Sequence, residues 1–309
     1  MSYDPSKPYK SEIQEIIAST WETPYVSVSP GIYPVVEKKF TEPEVDHTDG
    51  IGTKGFYHWR ERTFGAAVID ALAMNLNDLA LARAIPYKLQ NHLTLPADDH
   101  LAILDIVRSL AAESRNRQIA ITGGETSIHD NSDSLDISIS MSGIVDDAQP
   151  NIMESGQVLL GLPSNGLHAN GFSLVRKLFG DESRADFTHP TAVYLDKIRV
   201  LQKRVRVNGM MHITGGAFTK LKDLLHDADA VIERPLEPQP IFEEIYQRGV
   251  TDEEMYKTFN CGTGMVLAVD QSDSETVSVI TGAKPIGRVV KGSGFVVLAS
   301  AFSKQQVNY

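Results

Sequence analysis

Asp49-Gly50-Ile51-Gly52-Thr53-Lys54 places a carboxylate, two glycines, a hydroxyl and an ammonium within six residues. That set suits a metal-nucleotide site. The carboxylate can bind Mg²⁺, glycines let backbone N–H groups approach phosphate, and lysine offers a compact positive charge. A charged hairpin tip has the same composition, so the motif by itself leaves both readings open.

Three further stretches carry comparable groups. Asp70, Asn77 and Asp78 stand in an otherwise apolar run, two helical turns apart, so all three can face one way. A carboxylate in a buried helix needs a cation or hydrogen-bond donors, so an internal ion pair competes with a metal or nucleotide role. Gly123-Gly124-Glu125-Thr126 closes a short apolar strand and reads either as a second site loop or as a plain tight turn. In Pro163 to Gly171, His168 and Asn170 lie in a glycine-bracketed loop that leads into a helix, a standard perch for an anion. Gly215-Gly216 repeats that strand, glycine pair and helix design. Cys261 has no neighbouring group that would make it a thiolate nucleophile.

The elements that must hold these residues follow from periodicity. Ser11–Ser19 reads as a short helix, and Trp21–Lys39, with Pro24, Pro30 and Pro34, as turns and edge strands. The spacing predicts a buried helix over 64–84 and an amphipathic one over 100–116, with Asp98-Asp99 capping the second. Strands are expected over 86–96, 119–122, 135–145 and 158–162, and a long helix over 190–206. Residues 274–281 are ambiguous, and Ile286–Val290 with Gly294–Leu298 reads as a closing hairpin or strand pair. Helix and strand alternate in both halves, which predicts two α/β domains. The acidic, Pro- and Gly-containing stretch 146–157 separates residues 1–154 from 155–309, with residues 1–20 a mobile arm and short helix.

The chain of 309 residues, 42% hydrophobic and 22% charged, has the composition of a soluble globular protein. A net charge of −11 argues against a general nucleic-acid binder and makes individually placed cations more informative. A single cysteine excludes an intrachain disulfide and a Cys-based zinc site. The polar Met1–Ser11 is unlike a signal peptide, and no uninterrupted apolar run spans a membrane, so a cytoplasmic location is expected.

Taken together, these stretches resemble the aminoimidazole ribonucleotide synthetase family, the phosphoribosylformylglycinamidine cyclo-ligases with a PurM-like fold. The resemblance rests on Asp49–Lys54, Asp70–Leu79, Gly123–Thr126, Gly161–Lys177, His212–Gly216 and Glu254–Met265, in the family's order. It implies a homodimer whose N-terminal domains pair strands into a shared β-barrel, each followed by a C-terminal α/β domain. It also implies ATP-dependent ring closure of formylglycinamidine ribonucleotide in purine biosynthesis, by phosphorylation of the formyl oxygen. Asp49, Asp78 and Glu125 would be the Mg²⁺ carboxylates. Thr53, Lys54, Asp70, Asn77, Gly123 and Gly124 would serve ATP, with Asp49, Lys54 and His168 at the chemistry. His168, Asn170, Gly215 and Gly216 would hold the substrate.

The chain departs from the pattern in three places. Ser29–Lys39 carries one glycine where the family has a Gly-Gly-Phe-Gly-like segment that closes over nucleotide, so Lys7, Lys10, Lys38 or Lys39 would have to compensate. Gly-Phe-Tyr-His-Trp-Arg after Lys54, and Asn91-His92-Leu93, also differ. Two other readings stay open: a superfamily paralogue that phosphorylates another small substrate, and a dimer that binds nucleotide without turnover.

Overall fold

The computed structural model describes residues 9–31 and 33–309; most of the expected N-terminal arm lies outside the described residues. Contacts divide the chain into two compact units, Met1–Asn75 with Ala84–Asp146 and Leu76–Arg83 with Asp147–Tyr309.

In the first unit, α1 (Lys10–Ala18), β1 (Val26–Ser29) and β2 (Val35–Lys38) precede β3 (Glu44–Gly50). A short 3₁₀ turn, Gly52–Lys54, leads into α2 (Gly55–Glu61) and α3 (Phe64–Leu81). Next come β4 (Ala84–Leu95), α4 (His100–Asn116), β5 (Ala120–Ile128) and β6 (Asp136–Val145). The proline-punctuated stretch after Trp21 forms an antiparallel hairpin in which Val26 faces Lys38. The hairpin packs through Val26, Val28 and Val36 into a cluster with Tyr87, Ala120 and Ile144.

Four strands form one sheet in the order β3-β6-β4-β5. Its core face carries Leu89, Leu93, Leu95, Ile137, Ile139 and Met141, each at most 1% exposed. Serines and other polar residues alternate onto the opposite face, as a half-buried sheet requires. The edge strand β5 is partly capped by side chains. Trp21 Nε1 donates to the Ile121 carbonyl at 2.8 Å, and the Ile121 N–H donates to Thr20 Oγ1 at 2.9 Å. Asp99 caps α4 by accepting from the Ala102 N–H at 3.0 Å.

The glycine pair at 123–124 is not a turn. β5 runs through it, parallel to β4, with Gly124 opposite Asn91 and Glu125 opposite His92. A Cβ on Gly124 would stand 2.6 Å from Asn91 Oδ1, so the glycine is required by close strand approach.

The second unit holds β7 (Val158–Pro163), α5 (Phe172–Phe179), α6 (Leu195–Gln202), β8 (Gly209–His212) and β9 (Ala228–Ile232). α7 (Pro240–Gln247), α8 (Asp252–Thr258), β10 (Thr263–Val269) and α9 (Ser274–Thr281) follow. β11 (Lys284–Lys291), β12 (Val296–Ala299) and β13 (Gln306–Asn308) close the chain. The sheet order is β13-β12-β9-β11-β7-β10-β8. Every residue of β10 is buried, so its sequence reads as a continuous apolar run without alternation.

Three expectations change here. The helix expected over 190–206 is confined to Leu195–Gln202. The ambiguous 274–281 segment is helical. The final strands do not pair as a hairpin, because β9 lies between β11 and β12 and pairs in parallel with the latter.

α3 is long and apolar enough for a membrane span, but 72% of it is buried inside the protein, as in a core helix. Its residues Ala67, Val68, Ala71, Leu72, Leu76 and Leu79 are at most 1% exposed.

Candidate active site

In the first unit, β3 delivers Asp49 and the 3₁₀ turn delivers Thr53 and Lys54. Asp49 Oδ1 accepts from the Gly50 N–H at 2.7 Å, and Asn75 Nδ2 donates to the Asp49 carbonyl at 3.2 Å. Gly52 adopts φ +53°, the left-handed conformation that lets the chain turn from β3 into the helix. Thr53 is half-buried beside it.

Lys54 and Asp70 face inward. Both side chains have 0% exposure, and Lys54 Nζ lies 2.9 Å from Asp70 Oδ1 and 2.7 Å from Oδ2. His58 Nε2 stands 2.8 Å from Asp70 Oδ2, and His58 Nδ1 lies 2.8 Å from Thr63 Oγ1. Burial disfavours the Asp70 carboxylate, but Lys54 and His58 outweigh it and hold its pKa below the usual value. Burial pushes His58 down, so the ring is neutral, donates from Nε2 and accepts the Thr63 hydroxyl at Nδ1. Lys54 and Asp70, both expected to serve ATP, are thus engaged with each other. An ammonium without exposed surface, held by both oxygens of one carboxylate, has no face to offer a phosphate.

Beside β5 lies a groove of about 1070 Å³ between α1, α4 and the strand, walled by Tyr9, Lys10, His100, Gly124, Glu125 and His129 among others. Tyr9 stacks on His100, with ring centroids 6.1 Å apart. Among the four lysines proposed to compensate for the missing glycine segment, Lys10 lines this groove. Lys38 pairs with Glu44 and Lys39 with Glu22, and Lys7 lies outside the described residues.

Asp49 and Glu125 belong to one sheet but not to one ion. Asp49 pairs through Ile139 with Asn91, whereas Glu125 pairs with His92, so the two carboxylates point to opposite faces. Three strand spacings separate their backbones, about 14 Å, beyond what two side chains span around a Mg²⁺ with oxygens at about 2.1 Å. Among the described residues, no three His, Cys, Asp or Glu side chains cluster closely enough to hold a metal. Within the first unit, Asp49 and Glu125 of the expected carboxylate set are thus not assembled around one ion.

In the second unit, Asn77, Asp78, the β7–α5 loop and the ends of β8 and β10 meet. His212 Nδ1 lies 2.9 Å from Asp78 Oδ1, and Asn77 Nδ2 stands 3.3 Å from His212 Nε2. Asn77 also donates to the Ala192 carbonyl at 2.9 Å and accepts from the Tyr194 N–H at 2.7 Å. With 0% exposure, Asn77, expected to serve ATP, holds the Tyr194 loop. Tyr194 donates to the Pro163 carbonyl at 2.9 Å; its ring lies 6.2 Å from that of His168 and 6.3 Å from that of His212.

His168 adopts φ +61° and is 1% exposed, with Nε2 2.9 Å from Asn165 Oδ1. Asn170 accepts from Thr214 Oγ1 at 2.7 Å, while its buried Nδ2 makes no hydrogen bond. A buried donor without an acceptor is costly in a finished fold and reads as a group awaiting a ligand. Gly215 and Gly216 are exposed, and the space where a Gly215 side chain would project is open. Gly264 completes the packing: a Cβ there would stand 1.8 Å from the Tyr194 hydroxyl and 2.9 Å from His168 Cε1. Gly264→Ala is expected to force Tyr194 aside and destabilise the fold by about 1–3 kcal/mol, read from urea unfolding.

Comparison with known proteins decides the family. The N-terminal domain of AIR synthase related protein matches residues 41–145, and the C-terminal domain of AIR synthase related protein matches residues 154–299. The chain belongs to the AIR synthase related family. It is 35% identical over 301 residues to a phosphoribosylformylglycinamidine cyclo-ligase of Saccharolobus solfataricus, covering 94% of this chain and 91% of that protein. Its identity to the Methanocaldococcus jannaschii protein of the same name is 34%, over 79% of this chain and 77% of that protein. The fold is that of hydrogenase maturation protein HypE in complex with ATP, at TM-score 0.70 and 15% identity, with 99% and 95% of the two chains covered. Thiamine-monophosphate kinase of Stenotrophomonas maltophilia superposes at TM-score 0.63 and 18% identity, with 94% and 96% covered. The mixed α/β, PurM-like architecture expected from the sequence is the one observed.

Sequence reasoning missed His58, Tyr194 and Thr214 and left His212 without a role. His212 stood inside a quoted motif, and its company with Asp78 was legible only in space. His58 stood out only as part of a stretch that departs from the family pattern.

Proposed function

We propose that this chain closes the imidazole ring of formylglycinamidine ribonucleotide in an ATP- and Mg²⁺-dependent reaction of purine biosynthesis. It does so as a cytoplasmic homodimer. The observation that carries the reading is the 35% identity, across nearly the whole of both chains, to a protein named for that reaction.

The groove beside β5 supports the nucleotide part. Its size suits a nucleoside triphosphate, and it offers an aromatic wall from Tyr9 and His100, the cation Lys10 and the acid Glu125. Mg²⁺ is ordinarily held by one or two carboxylates together with substrate phosphates, so Glu125 suffices as a protein ligand there. Asp49 and Glu125 serve separate ions or meet only across two protomers. In the second unit, Asn170 Nδ2 and the open Gly215–Gly216 backbone suit an anionic substrate group, with His168 held beside them.

Phosphorylation turns the formyl oxygen, a poor leaving group, into phosphate. What remains for the protein is placement and charge neutralisation. Asp78 orients His212 through Nδ1, Asn77 holds the Tyr194 loop, and Tyr194 and Gly264 fix His168 from behind.

The test is direct: purified chain, formylglycinamidine ribonucleotide, Mg²⁺ and ATP, following aminoimidazole product and phosphate together. Phosphate release only with another acceptor would favour a paralogue. Nucleotide binding without product would favour a non-catalytic dimer. Sedimentation analysis reports the oligomeric state. For the groove, Lys10→Ala is expected to raise KM for ATP about tenfold, the worth of one charge-assisted phosphate contact. Lys39→Ala, whose ammonium is engaged by Glu22, should leave KM unchanged.

A further inference from the structure

His58 lies in a stretch that departs from the family pattern, yet its ring meets the most deeply buried charges of the first unit. Lys54, His58 and Asp70 side chains all have 0% exposure. The lysine that anchors here is the last residue of the Asp49–Lys54 segment, and Gly55 follows it with no room for a side chain: a Cβ would stand 1.7 Å from the Leu135 carbonyl. The Lys54–Asp70 ion pair and this close backbone approach both hold the end of the segment.

Lys54 alone cannot set that geometry. Its ammonium is a flexible point charge with three rotatable donors, so the ion pair by itself does not define the carboxylate plane. His58 is different. Its planar ring is held at Nδ1 by Thr63 and presents Nε2–H to one oxygen of Asp70, which defines the plane of the carboxylate. Buried ion pairs are weak sources of stability, and apolar replacements are often as stable, so the better-attested use of such a group is to fix register.

We propose that His58 is a positioning residue for the end of the Asp49–Lys54 segment, fixing the Asp70 carboxylate that anchors Lys54 and hence the Gly52–Lys54 turn that carries Thr53. The link from that segment to turnover rests on the ATP-dependent reading above; the link from His58 to the segment does not.

Two variants separate positioning from bulk stability. His58→Met keeps the volume and removes the donor. His58→Gln keeps an N–H within reach of Asp70, as Nε2 is, whereas His58→Asn places its amide too short to reach. Hydrogen exchange of the peptide spanning Gly50–Tyr57 is measured beside kcat, KM for ATP and Tm. In His58→Met, exchange of that peptide is expected to quicken roughly tenfold, with other first-unit peptides unchanged. KM for ATP should rise about fivefold or more with kcat within about twofold, and His58→Gln should restore both. Unchanged exchange, or a uniform rise across the unit in step with a fall in Tm, would overturn the proposal. Should His58→Met fail to fold, the comparison of Gln with Asn decides: equal exchange in the two would overturn it. Absence of turnover in the unmodified protein would remove the proposed reaction, while the exchange result would still judge His58.

Discussion

Asp78→Asn is expected to cut turnover by about a hundredfold or more while leaving the fold intact. The carboxylate stands near the end of α3, 17% exposed, with Oδ1 2.9 Å from His212 Nδ1. Asparagine has nearly the same shape, and its carbonyl oxygen can accept the same hydrogen bond. The substitution therefore removes charge and little else. A neutral amide binds Mg²⁺ far more weakly than a carboxylate and places no negative charge beside His212. Steady-state turnover, a Mg²⁺ titration and the thermal midpoint distinguish the outcomes. A loss of kcat rescued by high Mg²⁺ would assign the charge to the metal, and an unrescued loss would assign it to His212. Near-normal turnover would remove Asp78 from the chemistry altogether.

Asp70→Leu should have the largest effect on stability. It leaves the Lys54 ammonium fully buried without its counter-charge, a change worth about 3–5 kcal/mol in comparable cases. Lys54→Met in the same chain removes the orphaned charge, so the double variant should recover much of the loss, and the difference measures the coupling. Chemical unfolding supplies both values; a single variant as stable as the parent would show that the pair is not a charged one.

The same network sets an acid sensitivity. The His58 pKa is lowered in the fold from its ordinary 6.5, so below that pH the unfolded chain takes up a proton that the folded chain refuses. Stability should therefore begin to fall as pH drops through 6.5. The Asp70 pKa is lowered from 3.8, so its contribution is present above that value and is lost as pH falls further, through the folded-state pKa. Unfolding curves across this range should show both steps, and His58→Met should lack the upper one.

How much of this was legible in the chain varies with the kind of interaction. α4, β6 and β7 were readable because their apolar spacing is local and their ends carry ordinary signals, such as Asp99 before α4. The helix expected over 190–206 was too long because Thr191 to Tyr194 are held in the loop by partners far away, Asn77 among them. The strand through Gly123–Gly124 looked like a turn because glycine pairs usually are turns. Here they serve close approach to Asn91. The pairing of β12 with β9 is a long-range choice that no local pattern announces.

The site divides in the same way. By themselves, the residues of Asp49–Lys54, Asp70–Leu79, Gly123–Thr126 and His212–Gly216 determined the family and the kind of chemistry, because residue type and spacing along the chain are what a motif records. Which groups face a ligand and which face one another was decided only by the tertiary structure. Lys54 and Asp70, each apt for a phosphate site, instead satisfy each other. Neither charge can be left alone where both are shut away from water, and that requirement is met by distances between elements rather than along the sequence.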